Sequence, residues 1–318
     1  MRATLKDVAQ RAGVSSATVS YVLNGKQSVS EKTKQRVLEA VRQLDYVPDL
    51  NARGLSMRDS KLIGVVVPQT EPGEHLMFQN TFYSEVLGSI EYYARQNGYH
   101  ILISATDANE SYQQMKESQI PIVLIDSYCN DYYYHNIRID NAYGSYLATR
   151  YILQNGHREI AFLVGRLQEN GVMKKRLTGY QKALAEFGVP YQPDYVLEGQ
   201  IDYESGVQHA RAIVERHLPV TAVAAADILA IGAMKGFYEL GLRIPDDLSI
   251  IGFDDLEISR YMTPGLTTIK QQISLKGQRA VELLLKNIAQ PGLTKQEEIL
   301  TLELVERESV RKIKGKEG

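Results

Sequence analysis

The stretch TLKDVAQRAGVSSATVSYVLNG, residues 4–25, decides the fold of the N-terminal part of the chain. Thr4 and Asp7 have the spacing of a capping box, and apolar residues follow at helical intervals until Gly13, which is suited to end a helix. Ser15 can then cap a second helix, whose valines share one face. The stretch therefore predicts two short helices joined by a tight turn, a helix-turn-helix.

A third helix is predicted from Ser30 to about Leu44, because apolar residues recur there at helical spacing and can close a small core with the first two helices. The outward face of the second helix is polar and short-chained. Such a face lets a helix lie deep in the major groove of DNA without its own bulk blocking the base edges. The pattern favours a DNA reader, although the same helical pair could pack against another protein.

The charges are distributed unevenly along the chain. Residues 1–61 carry eleven Lys and Arg against six Asp and Glu, a balance of +5, whereas the whole chain has a net charge of −2. A basic module on an acidic body is expected where one end meets phosphates. A solvated basic surface remains the alternative.

The composition excludes several classes of protein. With 44% hydrophobic and 23% charged residues the chain is globular, and its single cysteine, Cys129, allows no intramolecular disulfide or iron–sulfur ligand set. Because the sequence has no apolar run of membrane-spanning length and no secretory leader pattern, we expect a cytoplasmic protein with no membrane association. It has no GxSxG, HExxH, P-loop or GxGxxG motif, so we expect neither an enzyme nor a bound metal or cofactor.

Beyond residue 61, continuous apolar runs alternate with amphipathic segments. The runs are LIGVVVP (62–68), YHILISA (99–105), IPIVLID (120–126), EIAFLVG (159–165), AVAAAD (222–227) and LSIIGFDD (248–255). Continuous rather than alternating apolar runs predict strands buried on both faces, which indicates an α/β fold with a doubly wound parallel sheet. Ligands of such sheets bind beyond the carboxyl ends of the strands, which draws attention to Asp126, Asp227 and the loop before Arg176.

The N-terminal stretch resembles the signature of the lactose-repressor and galactose-repressor family of bacterial transcription regulators. The resemblance continues in order through YVPDLNARGL (46–55), RIDNAYG (138–144), RLTGYQKAL (176–184), IPDDLSIIGFDD (244–255) and TPGLTTIKQ (263–271). It implies a small all-α helix-turn-helix domain followed by a two-lobed, periplasmic-binding-protein-like α/β domain. It also implies a homodimer that binds a near-palindromic operator as a repressor under the control of a small-molecule effector.

The resemblance implies the following domain boundaries. The helix-turn-helix domain spans 1–47, the hinge 48–60, the ligand-binding and dimerisation core 61–310, and a basic tail 311–318. Within the core, the first lobe is expected at about 61–155 and 270–290, and the second at about 156–269 and 291–310.

The DNA contacts implied by the resemblance lie in the first helices and the hinge, where Leu55 would enter the minor groove as an apolar wedge. They are Thr4, Ser15, Ser16, Ala17, Thr18, Ser20, Tyr21, Asn24, Asn51, Arg53 and Leu55. Tyr21 stands where related chains often carry arginine, and tyrosine cannot form the bidentate bond by which arginine reads guanine. The identity of the operator bases is therefore open.

For the effector, the resemblance implies Arg176 and Asp227 as the ligand arginine and acid, Asp126 as a further contact, and an aromatic wall of Phe82 and Tyr83. A sugar or sugar derivative is favoured over a purine or nucleoside as the effector. Tyr203 could stack on a ligand or lie on the surface, and Asp227 could instead cap a helix. Ala226 also replaces an asparagine that is common in the family.

The segment between Asp107 and Ile120 is shorter than the family pattern by about one βα unit, on the order of 30 residues. The first lobe is therefore expected to lack that unit, and strands 99–105 and 120–126 could pair through one short helix. Two alternatives follow from these observations: a DNA-binding variant that no longer senses a ligand, and a solute-binding protein. Residues 1–58 argue against a solute-binding protein, because such a protein would not carry this segment.

Overall fold

The computed structural model describes residues 3–23, 29–44, 46, 60–69, 80–107, 120–127, 134–167 and 171–313. The chain divides into two compact units, Met1–Leu62 and Ile63–Gly318. The predicted hinge, apart from its last residue Ser60, lies outside the described residues, as do the predicted contacts Asn24, Asn51, Arg53 and Leu55. No helix within the described ranges is long and apolar enough to cross a membrane.

The N-terminal unit contains the three predicted helices, α1 (Leu5–Ala12), α2 (Ser16–Leu23) and α3 (Glu31–Gln43). The capping box is formed, because the Thr4 side chain accepts from the Asp7 backbone N–H and the Asp7 carboxylate accepts from the Thr4 backbone N–H. Gly13 ends α1 at φ 62°, a left-handed conformation that favours glycine. The shared core is made of Val8, Ala9, Ala12, Val19, Val22, Val37 and Ala40.

The C-terminal unit alternates strands and helices, as expected of an α/β fold. Its strands are β1 (Leu62–Gln69), β2 (His100–Asp107), β3 (Val123–Ile125), β4 (His135–Ile139), β5 (Ile160–Gly165), β6 (Val196–Gly199), β7 (Ala222–Ala224), β8 (Ser249–Asp254), β9 (Thr267–Lys270), β10 (Glu297–Leu300) and β11 (Glu303–Val305). Its helices are α4 (Thr81–Gln96), α5 (Asn141–Gln154), α6 (Val172–Glu186), α7 (Tyr203–Glu215), α8 (Asp227–Glu239) and α9 (Ile273–Ala289). Short 3₁₀ helices lie at Pro193–Tyr195 and Glu257–Arg260.

The largest sheet has six strands in the order β11–β9–β8–β7–β5–β6. All its neighbours are parallel except β11, which runs antiparallel to β9. Every residue of β5 and β8 is buried, because helices cover both faces of the sheet. This confirms the prediction from the apolar runs at 159–165 and 248–255.

The remaining strands form two smaller sheets, β1–β2 and β10–β4–β3. Among the described residues β2 and β3 do not pair, so the pairing considered from the sequence is not observed. The strands are also less buried than predicted, since β3 is half-buried throughout and Leu102 of β2 is 63% exposed. Within the described ranges, these strands lie in sheets of two or three strands, so they have fewer neighbouring strands than β5 and β8.

Two contacts run across the predicted lobe boundaries. Residues 297–300 were assigned to the second lobe, but β10 pairs in parallel with β4 in the three-stranded sheet. Helix α5 falls within the range assigned to the first lobe, but it packs on α6 and on β8 and β9 of the large sheet. The pairing partner of a strand and the packing partner of a helix are long-range choices, which local sequence patterns do not encode.

Candidate DNA-binding and effector sites

Helix α2 presents the predicted reading face to solvent. Ala17 and Tyr21 are exposed and Ser16 and Ser20 are partly exposed, whereas the valines of α2 are buried. Ser15 accepts a hydrogen bond from the backbone N–H of Thr18 at 3.1 Å, so these two predicted DNA contacts also stabilise the first turn of α2. The face is therefore accessible, and its side chains are short except for that of Tyr21.

In the C-terminal unit, Arg176 lies on α6 with only 8% of its surface exposed. Its Nε donates to Oδ1 of Asn141 at 2.9 Å, and its Nη2 donates to Oδ1 of Asp254 at 3.2 Å. The guanidinium carbon lies 3.7 Å from the centroid of the Phe253 ring. The position of Arg176 is thus fixed by an amide, a carboxylate and an aromatic face.

Close approach of two helices makes the bond between Arg176 and Asn141 possible. Asn141 is the first residue of α5, and α5 packs against α6. A Cβ added at Gly179 would lie 2.0 Å from the carbonyl oxygen of Ala142, so only glycine allows this helix spacing.

From Asp254 a chain of hydrogen bonds leads to the three-stranded sheet. Gln271 Nε2 donates to Asp254 Oδ1 at 2.5 Å, and Lys276 Nζ donates to Gln271 Oε1 at 2.6 Å and to Asp126 Oδ2 at 2.5 Å. Asp126 directly follows β3, Asp254 ends β8, and Gln271 directly follows β9. This series of hydrogen bonds therefore joins the carboxyl ends of parallel strands from two sheets. Folds of this kind bind their ligands at that position. We call Asp126, Asn141, Arg176, Asp254, Gln271 and Lys276 the polar network.

Burial acts on the ionisable groups of the polar network in opposite directions. It raises the pKa of Asp254, an effect that the neighbouring Arg176 opposes. It lowers the pKa of the Lys276 ammonium, an effect that Asp126 opposes. In each pair, burial disfavours the charged form of the group and the oppositely charged partner favours it.

Strained backbone accompanies the polar network. Asp126, Asp254, Asp255 and Gln272 all have positive φ, at 52°, 133°, 54° and 55°. Such conformations are costly for residues other than glycine and cluster at functional sites, where surrounding contacts hold them. For Asp255 one such contact is Arg307, whose Nη2 lies 2.6 Å from its carboxylate.

Asp227 occupies a different kind of position. It is fully buried, and its carboxylate accepts from the hydroxyls of Ser259 and Thr268 and from the backbone N–H of Leu256. Burial and the nearby charge of Asp254 raise the pKa of Asp227 to about 7. With no exposed surface and three donors, Asp227 fixes the loop after β8, which argues against the predicted ligand contact. It does not cap its own helix either, since the N-cap of α8 is Ala226.

The predicted aromatic wall lies at the start of α4. The rings of Phe82 and Tyr83 meet edge to face with centroids 5.3 Å apart, and the Phe82 centroid lies 5.4 Å from Nζ of Lys276. Phe82 therefore lies beside Lys276, the residue that is hydrogen-bonded to Asp126. Tyr203 is 36% exposed at the start of α7, and none of the contacts of the polar network includes it.

A small cavity of about 20 Å³ lies beside Arg176. It is lined mainly by apolar residues, among them Phe162, Met173, Ala226 and Phe253. Ala226 and Arg176 both line this cavity, so the asparagine that the family resemblance implies at position 226 would change the surroundings of Arg176.

The sequence predictions included Asp126 and Arg176 but missed Asn141, Asp254, Gln271 and Lys276. Asp254 could have been found, because it ends an apolar run just as Asp126 does. Lys276 carries no such signal, since a lysine within a helix is almost always exposed.

Comparison with known proteins agrees with both units. Residues 4–49 match the family model described as bacterial regulatory proteins, lacI family, and residues 149–310 match a periplasmic binding protein-like domain. The ribose operon repressor of Haemophilus influenzae is 33% identical over 340 aligned positions, which cover 98% of this chain and all of the relative. Since this chain has 318 residues, at least 22 of those positions have no counterpart in it.

Solved structures agree as well. A lac repressor dimer bound to operator and the anti-inducer ONPF is 29% identical with a TM-score of 0.79, over 98% of this chain and all of that one. A LacI family regulator from Enterococcus faecium with bound ribose is 26% identical with a TM-score of 0.70, over 80% of this chain and all of that one. The similarities to the ribose operon repressor and to the lac repressor dimer cover 98% of the chain, which therefore belongs to the lacI family of bacterial regulatory proteins, as a ligand-responsive DNA-binding repressor and not an enzyme.

Proposed function

We propose that this protein acts in the cytoplasm as a homodimer that represses transcription from a near-palindromic operator and responds to a sugar or sugar derivative. The observation that carries the proposal is the polar network, which joins the carboxyl ends of strands from two sheets beneath an aromatic ring. Such a site can change its geometry when a small molecule binds, and the two-fold symmetry of a dimer requires a two-fold operator.

On the DNA side, α2 enters the major groove with Ser16, Ala17, Ser20 and Tyr21 towards the bases. Their exposure in the N-terminal unit supports this assignment. Tyr21 offers one hydroxyl in place of the paired donors of an arginine, so the operator position that it faces is not read as guanine by a bidentate bond. Leu55 in the hinge would add a minor-groove wedge, as the family resemblance implies.

On the effector side, Arg176, Asp126 and Asp254 offer hydrogen-bonding groups to hydroxyls, and Phe82 offers an aromatic surface. Carboxylates and a guanidinium beside an aromatic ring are the chemistry of sugar recognition. The ribose-bound relative supports this effector class. We place Asp254, rather than Asp227, as the ligand acid because it contacts Arg176 directly.

Regulation then follows from linkage. An effector that binds one arrangement of the two sheets better than the other shifts the population of the DNA-binding state by that difference in affinity. The shortened segment before Ile120 bears on this step, because a first lobe without one βα unit has less surface with which to distinguish the two arrangements.

Selection from a pool of random duplexes tests the proposal. The full chain is incubated with the pool at fixed salt, bound sequences are recovered, and binding is repeated with sugars and nucleosides. We expect a near-palindromic site whose affinity one sugar shifts. A site that no compound shifts would indicate a ligand-blind regulator, and no enrichment at all would indicate a solute binder.

Matched variants localise the DNA contact. Ala17→Glu adds a negative charge to the exposed face of α2 and should abolish enrichment, because it faces phosphates and base edges. Gln10→Glu adds the same charge to an exposed position of α1 and serves as the control. Equal loss in both variants would contradict the assignment of α2 as the reading helix.

A further inference from the structure

Lys276 is the least expected member of the polar network. Its side chain is fully buried, and it lies on α9, where it donates to Asp126 after β3 and to Gln271 after β9. An ammonium group removed from water is costly unless it is paired. Its retention here therefore depends on the Asp126 carboxylate and on Gln271.

The charges of the polar network cancel pair by pair. Lys276 is paired with Asp126 at 2.5 Å, and Arg176 is paired with Asp254 at 3.2 Å. Gln271 bridges the two pairs and is neutral. Among the described residues, the adjacent Asp255 is likewise neutralised by Arg307. Arg176, Asp254 and Lys276 are buried and Asp126 is partly buried, so the network holds four charges but has no net charge to offer a ligand.

One acceptor in the network has no donor within the part of the chain that the structure describes. There, Oδ1 of Asp126 is buried and makes no hydrogen bond, whereas Oδ2 of the same carboxylate accepts from Lys276. A buried carboxylate oxygen without a hydrogen-bond donor has lost its hydration without replacement, which destabilises the folded state. A hydroxyl group that donates to this oxygen would remove that penalty. The centroid of the Phe82 ring lies 5.4 Å from Nζ of Lys276, the group that donates to Oδ2 of the same carboxylate, and the ring supplies an apolar surface there.

We propose that the Asp126–Lys276 pair determines the charge class of the effector and selects a neutral polyhydroxylated molecule, with one hydroxyl donating to Oδ1 of Asp126. The proposal rests on the effector site of the proposed function. A sugar acid, sugar phosphate or amino sugar carries a charge. Because the polar network is already neutral, it offers no opposite charge to offset the free-energy cost of removing the ligand's charge from water.

The same argument predicts how selectivity changes. Asp126→Asn leaves the Lys276 ammonium unpaired and should favour a ligand that carries a carboxylate. Lys276→Met leaves the Asp126 carboxylate unpaired and should favour a ligand that carries an amine. The double variant removes both charges and should restore the preference for the neutral ligand, which a general loss of structure would not do.

The test is isothermal titration of the full chain with matched probes of one ring type: glucose, glucuronate, glucose 6-phosphate and glucosamine, and the galactose and ribose series. For each series that binds, we expect the wild-type chain to bind the neutral sugar about tenfold or more tightly than its charged derivatives. Asp126→Asn should bind the acidic derivative more tightly than the neutral sugar, and Lys276→Met should bind the amino sugar more tightly than the neutral sugar. Lys286→Met removes an exposed lysine from the same helix and should change nothing.

Two results would overturn the inference while leaving the effector site in place. One is tighter binding of an acid, phosphate or amine than of the neutral sugar by the wild-type chain. The other is the same charge preference in the wild-type chain and both single variants. If no probe binds any form of the protein, the proposed effector site itself fails, and the inference fails with it.

Discussion

Replacing Asp227 by asparagine should change how the stability of the protein depends on pH. The carboxyl of Asp227 is fully buried, and burial together with the charge of Asp254 raises its pKa from an ordinary value of 3.8 to about 7, against the effect of its three hydrogen-bond donors. The folded chain therefore holds this proton more tightly than the unfolded chain. Stability contributed by the proton is complete below about pH 4 and is lost as the pH rises through 7.

The size of the effect follows from the two pKa values. For a group with a pKa of about 7 when folded and 3.8 when unfolded, the free energy of unfolding should fall by about 3 kcal/mol between pH 5 and pH 8. Asparagine keeps the shape of the side chain but does not titrate. The difference in stability between wild type and Asp227→Asn should therefore fall by this amount over the same interval.

Urea unfolding at a series of pH values measures this difference. The chain has 20 tyrosines and no tryptophan, so tyrosine fluorescence and circular dichroism are the probes. Asp247→Asn is the control, because hydrogen bonds from Arg243 lower the pKa of Asp247 to about 2 and its titration is complete before pH 5. A difference between wild type and Asp227→Asn that does not change with pH would refute the reasoning.

Three further predictions concern the two sites. Arg176→Met should abolish effector binding in calorimetry while operator affinity in fluorescence anisotropy stays within about twofold, because the bonds to Asn141 and Asp254 that it breaks lie within the C-terminal unit. Loss of both activities would contradict it. Tyr21→Arg should shift the selected operator towards guanine at one position in each half-site, with discrimination of about 1–3 kcal/mol, and an unchanged selection would show that residue 21 does not face a base. Thr4→Ala removes the capping box of α1 and should destabilise the helix by about 1 kcal/mol, which thermal unfolding of the helical unit measures against an exposed Lys6→Ala control.

Local sequence patterns were sufficient for the elements whose signals are short-range. Helices α1 to α3 followed from caps and apolar spacing within a few residues, and β5 and β8 followed from unbroken apolar runs. Asp126 and Arg176 could be selected because the carboxyl ends of parallel strands bind ligands in this class of fold. Family resemblance then supplied the functional class.

Only the tertiary structure decided which of these groups meet. Asp126 and Lys276 lie 150 residues apart, and their pairing depends on how β3 and α9 come together. The same holds for β10, which pairs with β4, and for Asp227, whose three donors come from residues 256–268. A local pattern records whether a residue is apolar, polar or charged, but the free energy of a buried charge depends on its partner, and partners distant in sequence are chosen only when the whole chain packs.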